Sequence, residues 1–274
     1  MTRQPTLRSM AAASALPRLE FQMLWEHILQ VPRVWLIAHD TDPISAQDIA
    51  RFEALQERRL AGEPMAYILG YREFLGRPFK VGPSVLIPRP ETELLVAVAL
   101  RHLGNATAPR VLDLGTGTGA IAISIALART DAQVVASDVD AGALRIAHGN
   151  ARDLNARVEF FAGSWYDALL DSRGFDLIVS NPPYIAADDI HLRQGDLRYE
   201  PRCALTDGHD GMTALGSIVS GAVQRLRPNG ALFMEHGWDQ AAQVRQLLQE
   251  AGFAKIESLR DLAGIERVSG GIYL

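Results

Sequence analysis

Apolar residues follow two different spacings along this chain, and the change falls near residue 70. Upstream, "LEFQMLWEHIL" and "VPRVWLIAHD" place apolar side chains three and four residues apart, which predicts amphipathic helices. "SAQDIARFEALQERRLAG" predicts another, with Ser45 as its cap, Asp48 three residues on and Gly62 as its stop. These segments make residues 19–69 a small helical domain, and residues 1–18 before them are expected to be disordered. Residues 70–90 carry "YREFLGRPFKVGPSVLIPRP", whose aromatics, glycines and prolines predict a hairpin and a linking loop.

From residue 110 short apolar runs alternate with amphipathic ones. "RVLDLG", "QVVASD", "VEFFAG", "FDLIVS", "GALFMEHG" and "AKIESLRD" predict strands, and helical patterns lie among them. Buried strands separated by helices imply an α/β domain over residues 91–274, a mostly parallel sheet covered on both faces. Ligands of such sheets bind beyond the carboxyl ends of the strands, so the loops there are where chemistry is expected.

Composition narrows the functions. A chain of 274 residues, 48% hydrophobic, can bury a large core and a smaller one. The net charge of -5 and pI near 5.8 supply no general basic field, so no direct DNA partner is expected. One cysteine, Cys203, excludes an internal disulfide and a cysteine-rich metal site, which fits a reducing cytoplasm. No run reaches the roughly 20 apolar residues of a membrane span, and the alanine-rich start makes a poor signal peptide. "NAT" at 105–107 matches a glycosylation acceptor by chance.

The loop after the first parallel strand reads "DLGTGTGA". Gly115, Gly117 and Gly119 permit tight turns and a close ligand approach where a helix begins. Gly115, Gly117 and Ala120 also satisfy the nicotinamide-binding pattern, with an acidic residue about 20 positions on, so the glycines alone do not choose the cofactor. Asp138, ending "VVASD", can accept from both hydroxyls of an adenosine ribose, while Asp140 suits a helix cap. Trp165 is placed either to pack beside an adenine or as a core tryptophan. Asp113 either orients the glycine loop, holds a ligand amine or is a buried structural carboxylate.

After the fourth strand comes "NPPYI". Pro182 and Pro183 fix the backbone and remove donors, leaving the Asn181 side-chain oxygen and the Pro182 carbonyl as acceptors for one NH2 group, with the flat face of Tyr184 beside them. That is a clamp for a planar nitrogen, and hydride transfer has no use for it. Arg89, Glu91 and Glu93 in "PRPETE" either close the site or serve as solvated charge near a helix capped by Thr92. His236 ends a strand and is read as structural; Cys203 is read as a bystander.

"DLGTGTG" with "NPPY" resembles the class I S-adenosyl-methionine-dependent methyltransferases. "PMAYILGYREFLGRPFKV", "LIPRPETELLV" and "YEPRCALTDGHDG" extend the resemblance over nearly the whole chain to the HemK/PrmC family of release factor glutamine methyltransferases. The resemblance implies a Rossmann-like, seven-stranded sheet, a helical N-terminal domain that helps bind the substrate, and S-adenosyl-L-methionine as cofactor. It implies contacts to that cofactor from Gly115, Thr116, Gly117, Thr118, Gly119, Asp138, Trp165 and Asn181. Asn181, Pro182, Pro183 and Tyr184 would hold the glutamine of the Gly-Gly-Gln motif in class-1 peptide chain release factors. Catalysis would rest on Asn181, Pro182 and Tyr184, without metal, in a monomer. The rival functions are an adenine-amine methyltransferase acting on nucleic acid, for which no basic target-recognition segment is visible, a nicotinamide-dependent oxidoreductase, which would share only the glycine loop and Asp138, and a non-catalytic binding module, which would need a broken clamp where Asn181 and both prolines are intact.

Overall fold

Thr6 opens the first ordered helix. Its hydroxyl accepts from the Ser9 amide while the Ser9 hydroxyl accepts from the Thr6 amide, a reciprocal cap. The computed structural model describes residues 4–104, 106–169 and 174–274. It divides into two compact units, Met1–Gly70 and Tyr71–Leu274.

The first unit holds α1 (Leu7–Ala13), α2 (Arg18–Leu29), α3 (Arg33–Ala38), α4 (Ala46–Leu60) and α5 (Met65–Leu69). The presence of α1 corrects the expectation that residues 1–18 are disordered. Alanine is the best helix former, Thr6 caps the start, and Leu7 and Leu16 are buried in the unit's core. That core is aromatic: the Trp25 and Phe52 rings stack at 4.8 Å, with Phe21 edge-on to Phe52 at 5.1 Å. The Ser45 hydroxyl caps α4 by accepting from the Asp48 amide at 3.0 Å, as its spacing predicts.

The second unit begins with a hairpin, β1 (Tyr71–Phe74) and β2 (Arg77–Lys80), turned by Leu75 and Gly76, both at positive φ. Two such residues match the twist of the strands they join. The hairpin belongs to this unit, so residues 70–90 are part of its fold rather than a linker. Asn150 accepts from the Lys80 amide at 2.8 Å and donates to the Lys80 and Thr118 carbonyls, tying the hairpin to the glycine loop at 115–119.

There follow α6 (Glu93–Leu103), β3 (Arg110–Leu114), α7 (Ala120–Ala128), β4 (Gln133–Asp138), α8 (Ala141–Asp153), β5 (Val158–Ala162), β6 (Phe175–Ser180), α9 (Arg202–Leu205), α10 (Thr213–Ala222), β7 (Leu226–Glu235), α11 (Ala241–Glu250), β8 (Phe253–Arg260) and β9 (Glu266–Tyr273). Seven strands form one sheet in the order β5-β4-β3-β6-β7-β9-β8, parallel from β5 through β7. Side chains alternate between its faces. Val111, Leu177, Val179 and Phe233 join the cluster containing Leu95 and Ile123 of α6 and α7, while Leu112, Ile178, Leu232 and Met234 join Leu215 and Val244 of α10 and α11.

The pattern of alternating strands and helices misses β9, which runs antiparallel between β7 and β8. Its Gly270 and Gly271 read as strand breakers, yet a Cβ at Gly270 would stand 2.2 Å from the Leu232 carbonyl oxygen and the Phe233 ring. Only glycine allows that approach. Asn105 lies outside the described residues. Among the described residues, no helix is long and apolar enough to cross a membrane.

Strand order reverses at β3 and β6. Chain connections leave β3 towards β4 on one side and β6 towards β7 on the other, which opens a crevice at their carboxyl ends.

Candidate functional site

Every loop expected to carry chemistry ends at that crevice. It is a cleft of about 1020 Å³, its open mouth included, and its wall includes Gly115, Thr116, Gly117, Thr118, Asp138, Trp165, Asn181 and Pro183.

The loop after β3 turns through Gly115, Gly117 and Gly119, all at positive φ. A Cβ at Gly117 would meet nothing within 4 Å, so this backbone faces open space that a ligand can approach closely. Gly119 differs: it precedes α7, is not part of the cleft wall, and a Cβ there would strike Ile123 at 2.7 Å and Ala147 at 3.3 Å. Glycine there serves the positive φ and the packing of α7. Asp113 lies beneath the loop, wholly buried. Its Oδ2 accepts from the Thr116 hydroxyl at 2.6 Å and the Ala122 amide at 3.2 Å, Oδ1 has no partner among the described residues, and burial pushes its carboxyl up to about 7.

Asp138 is a clasp as well as an acceptor. Oδ2 accepts from the Gly117 amide at 2.8 Å and Oδ1 from the Asp140 amide at 2.9 Å, and burial raises its pKa above the ordinary aspartate value. A carboxylate has about four acceptor positions, so capacity remains for ligand hydroxyls. Asp140 caps α8 through the Ala143 amide at 2.8 Å. Trp165 sits at positive φ, its carbonyl accepting from the Ser137 hydroxyl at 3.1 Å, and its ring lies 3.4 Å from where a Gly115 Cβ would be. A non-glycine residue held there is a local strain of the kind that collects at ligand sites.

A second, smaller cavity of about 330 Å³ is lined by Leu86, Arg89, Asn181, Pro182, Tyr184, Leu197, Ala204 and Leu205 among others. Asn181 borders both spaces. Its Nδ2 donates to the Thr92 hydroxyl at 3.2 Å, which leaves Oδ1 as an acceptor without a partner among the described residues. The Tyr184 hydroxyl donates to Glu235 Oε1 at 3.1 Å, and the Tyr184 carbonyl accepts from Gln240 Nε2 at 3.0 Å.

The charged residues before α6 divide. Arg89 lines the small cavity and pairs with the buried Glu200, whose other oxygen accepts from the Ile87 amide at 2.9 Å. Glu93 accepts from the Leu75 amide at 2.8 Å and so fixes the hairpin. Of the two readings of this stretch, the one with Thr92 as a side-chain cap fails: Thr92 makes no side-chain cap to α6, and its hydroxyl accepts from Asn181 instead. His236 is buried between the Gly237 carbonyl and the Ser269 hydroxyl, 2.8 and 2.7 Å away, and burial holds it below the usual histidine range, in keeping with its structural reading.

Cys203 is no bystander in position, since it lines the large cleft, where burial and the neighbouring Asp140 and Asp138 raise its thiol. Nothing in its sequence surroundings signals this. Thr92 and Glu235 also contact the "NPPY" segment, and their sequence surroundings give no sign of it either.

Residues 6–70 match the model of the PrmC N-terminal domain, and residues 92–195 that of the methyltransferase small domain. The chain is 58% identical to the release factor glutamine methyltransferase of Bordetella pertussis over 97% of its own length and 98% of that protein's. It is 51% identical to that of Neisseria gonorrhoeae, covering 95% of each. The chain belongs to the release factor glutamine methyltransferase family. As a family member it is a methyltransferase that takes its methyl group from S-adenosyl-L-methionine.

Solved structures extend the likeness at the level of the fold. A 16S rRNA methyltransferase of T. thermophilus, solved with AdoMet and guanosine, superposes with a TM-score of 0.55 at 22% identity, covering 74% of this chain and 50% of its own. A methyltransferase from Pyrococcus furiosus gives 0.53 at 18% identity over 81% and 98%. The class I fold with its seven-stranded mixed sheet is therefore shared well beyond the family.

Proposed function

We propose that this chain methylates the side-chain amide nitrogen of the glutamine in the Gly-Gly-Gln motif of class-1 peptide chain release factors, in the cytoplasm and as a monomer. The observation that carries this reading is Asn181, which borders both the large cleft and the small cavity with its side-chain oxygen without a partner among the described residues.

The large cleft fits S-adenosyl-L-methionine: Gly117 presents bare backbone to it, Asp138 keeps acceptor capacity for ribose hydroxyls, and Trp165 offers an aromatic wall. Gly115, Thr116, Gly117, Thr118, Asp138, Trp165 and Asn181 would hold the cofactor. When bound, it supplies an electrophilic methyl group on a sulfonium. The small cavity, lined by Pro182 and Tyr184, takes the glutamine side chain, and Pro183 stiffens the wall on the cofactor side.

An amide nitrogen is a weak nucleophile, so orientation matters most. The Asn181 oxygen and the Pro182 carbonyl accept its two hydrogens and aim the nitrogen along the line of displacement, while the Tyr184 ring excludes water and packs on the planar amide. Tyr184 does not serve as a base, because burial and the neighbouring Glu235 raise its phenol far above the ordinary value. The methylated amide nitrogen is strongly acidic and loses its extra proton to solvent. The helical unit that matches the PrmC N-terminal domain is read as the part that recognises the release factor.

The test is to incubate the protein with labelled S-adenosyl-L-methionine and, separately, a class-1 release factor, ribosomal RNA and DNA. Label on the Gly-Gly-Gln glutamine alone is the expected result; label on an adenine amine would transfer the reading to nucleic acid.

A further inference from the structure

Glu235 ends β7 with its side chain buried, and burial of a carboxyl there costs stability rather than adding to it. One of its oxygens, Oε2, has no hydrogen-bond partner among the described residues. The other accepts from the Tyr184 hydroxyl at 3.1 Å. The Thr92 hydroxyl also stabilises this carboxylate, and Thr92 in turn accepts from Asn181 Nδ2 at 3.2 Å. Both ends of the "NPPY" segment thus converge on one carboxyl from a different strand.

We propose that Glu235 is a positioning residue for methyl transfer, holding the Tyr184 ring directly and the Asn181 amide through Thr92. The role rests on the glutamine-methylation reading of the site. With Nδ2 held by Thr92, Asn181 keeps its oxygen towards a substrate NH2 rather than turning its own NH2 there, where donor would face donor. With its hydroxyl held, Tyr184 keeps one ring plane against the amide. Gln240 grips the Tyr184 carbonyl separately at 3.0 Å, and Gly211 packs so close to that carbonyl that a Cβ would stand 2.1 Å from its oxygen. The backbone is therefore anchored without Glu235, and losing the carboxyl releases the side chains rather than the loop. Glu235 does not line either cavity, so it acts through Tyr184 and Thr92 and touches neither reactant.

The experiment compares Glu235→Leu and Glu235→Gln in the full chain, reading kcat and KM for a class-1 release factor and Kd for S-adenosyl-L-methionine by calorimetry. Leucine roughly fills the volume and brings in no polar group of its own, but it leaves the Tyr184 hydroxyl without this acceptor, so thermal unfolding of the variant is followed alongside its kinetics. Glu235→Leu is expected to lower kcat about 30- to 100-fold, since alignment of the reactants is lost, with KM and Kd changed less than about threefold. Glu235→Gln restores an acceptor for Tyr184 and is expected to recover kcat to within about fivefold of wild type. Wild-type kcat in the Leu variant overturns the role, as does a Gln variant no faster than Leu, or a loss of S-adenosyl-L-methionine affinity in step with kcat. If Glu235→Leu does not fold, Tyr184→Phe deletes the same hydrogen bond from the other side, and wild-type kcat there overturns the role. A wild-type chain that labels no release factor overturns the functional reading itself; a Leu variant that labels it as fast as an active wild type overturns Glu235 alone.

Discussion

The Gly117 amide donates to Asp138 Oδ2 at 2.8 Å, so the carboxylate expected to hold a ribose also clasps the glycine loop that faces the cleft. Asp138→Ala therefore removes a ligand acceptor and a loop anchor together. S-adenosyl-L-methionine binding should weaken by about 10- to 100-fold through lost charge-assisted hydrogen bonds, and amide exchange across 115–119 should speed up in the unliganded protein. Calorimetry and hydrogen exchange read the two effects separately. Unchanged affinity would remove Asp138 from the site, and tight NADH binding instead would favour hydride chemistry.

Asn181→Ala deletes the side-chain acceptor at the junction of the two cavities while Pro182 and Tyr184 remain. Loss of one preorganised contact to the reacting group commonly costs on the order of 100-fold in rate. Single-turnover methylation of a release factor should fall by that much. Thr92→Val should cause a smaller loss, about tenfold, because it frees the Asn181 amide to turn and removes one hydrogen bond to Glu235 while the Asn181 acceptor itself remains. A Thr92→Val enzyme slower than Asn181→Ala would mean that Thr92 does more than orient its partner.

What the chain reveals by itself follows from locality. Gly115, Asp138, Trp165 and Asn181 each sit just past a strand, so the alternation of elements already brings them to one edge of the sheet. Thr92 and Glu235 belong to the same site but reach the "NPPY" segment across 89 and 51 positions, and no periodicity records which strand ends become neighbours. Gly119 looks like its two companions in sequence, and only the approach of Ile123 and Ala147 separates its packing duty from theirs. β9 and α1 were hidden by composition, since paired glycines imitate a turn and an alanine stretch imitates disorder until a cap and a buried leucine are placed beside it.

The two compact units permit a division of labour. A fragment beginning at Tyr71 keeps every residue of both cavities, so it should bind S-adenosyl-L-methionine within about threefold of the full chain. Its methylation of an intact release factor should drop much further than its cofactor binding. Calorimetry on the fragment and a methylation assay on the intact factor check this, and full activity on the factor would remove the recognition role from residues 1–70.

Glu235 also predicts how stability varies with pH. In the folded chain burial pushes its carboxyl up to about 7, whereas an ordinary glutamate titrates near 4.5. Between those values the folded state holds a proton that the unfolded chain has released, so Glu235's own contribution to stability falls as pH rises from about 4.5 to about 7 and levels off above it. Asp113, pushed up to about 7 for the same reason, adds a decline of its own. Glu235→Gln cannot ionise and keeps the contributions of Asp113 and of the other shifted groups, so the difference between the two proteins isolates Glu235. The variant should therefore gain on wild type by about 2 to 3 kcal/mol between pH 4.5 and 8, at about 1.4 kcal/mol per pH unit of altered affinity. Urea unfolding of both proteins at pH 5, 6, 7 and 8 measures the difference directly. Parallel curves for the two proteins would show that Glu235 ionises in the folded chain as it does in the unfolded one, and that its burial carries no proton-linked cost.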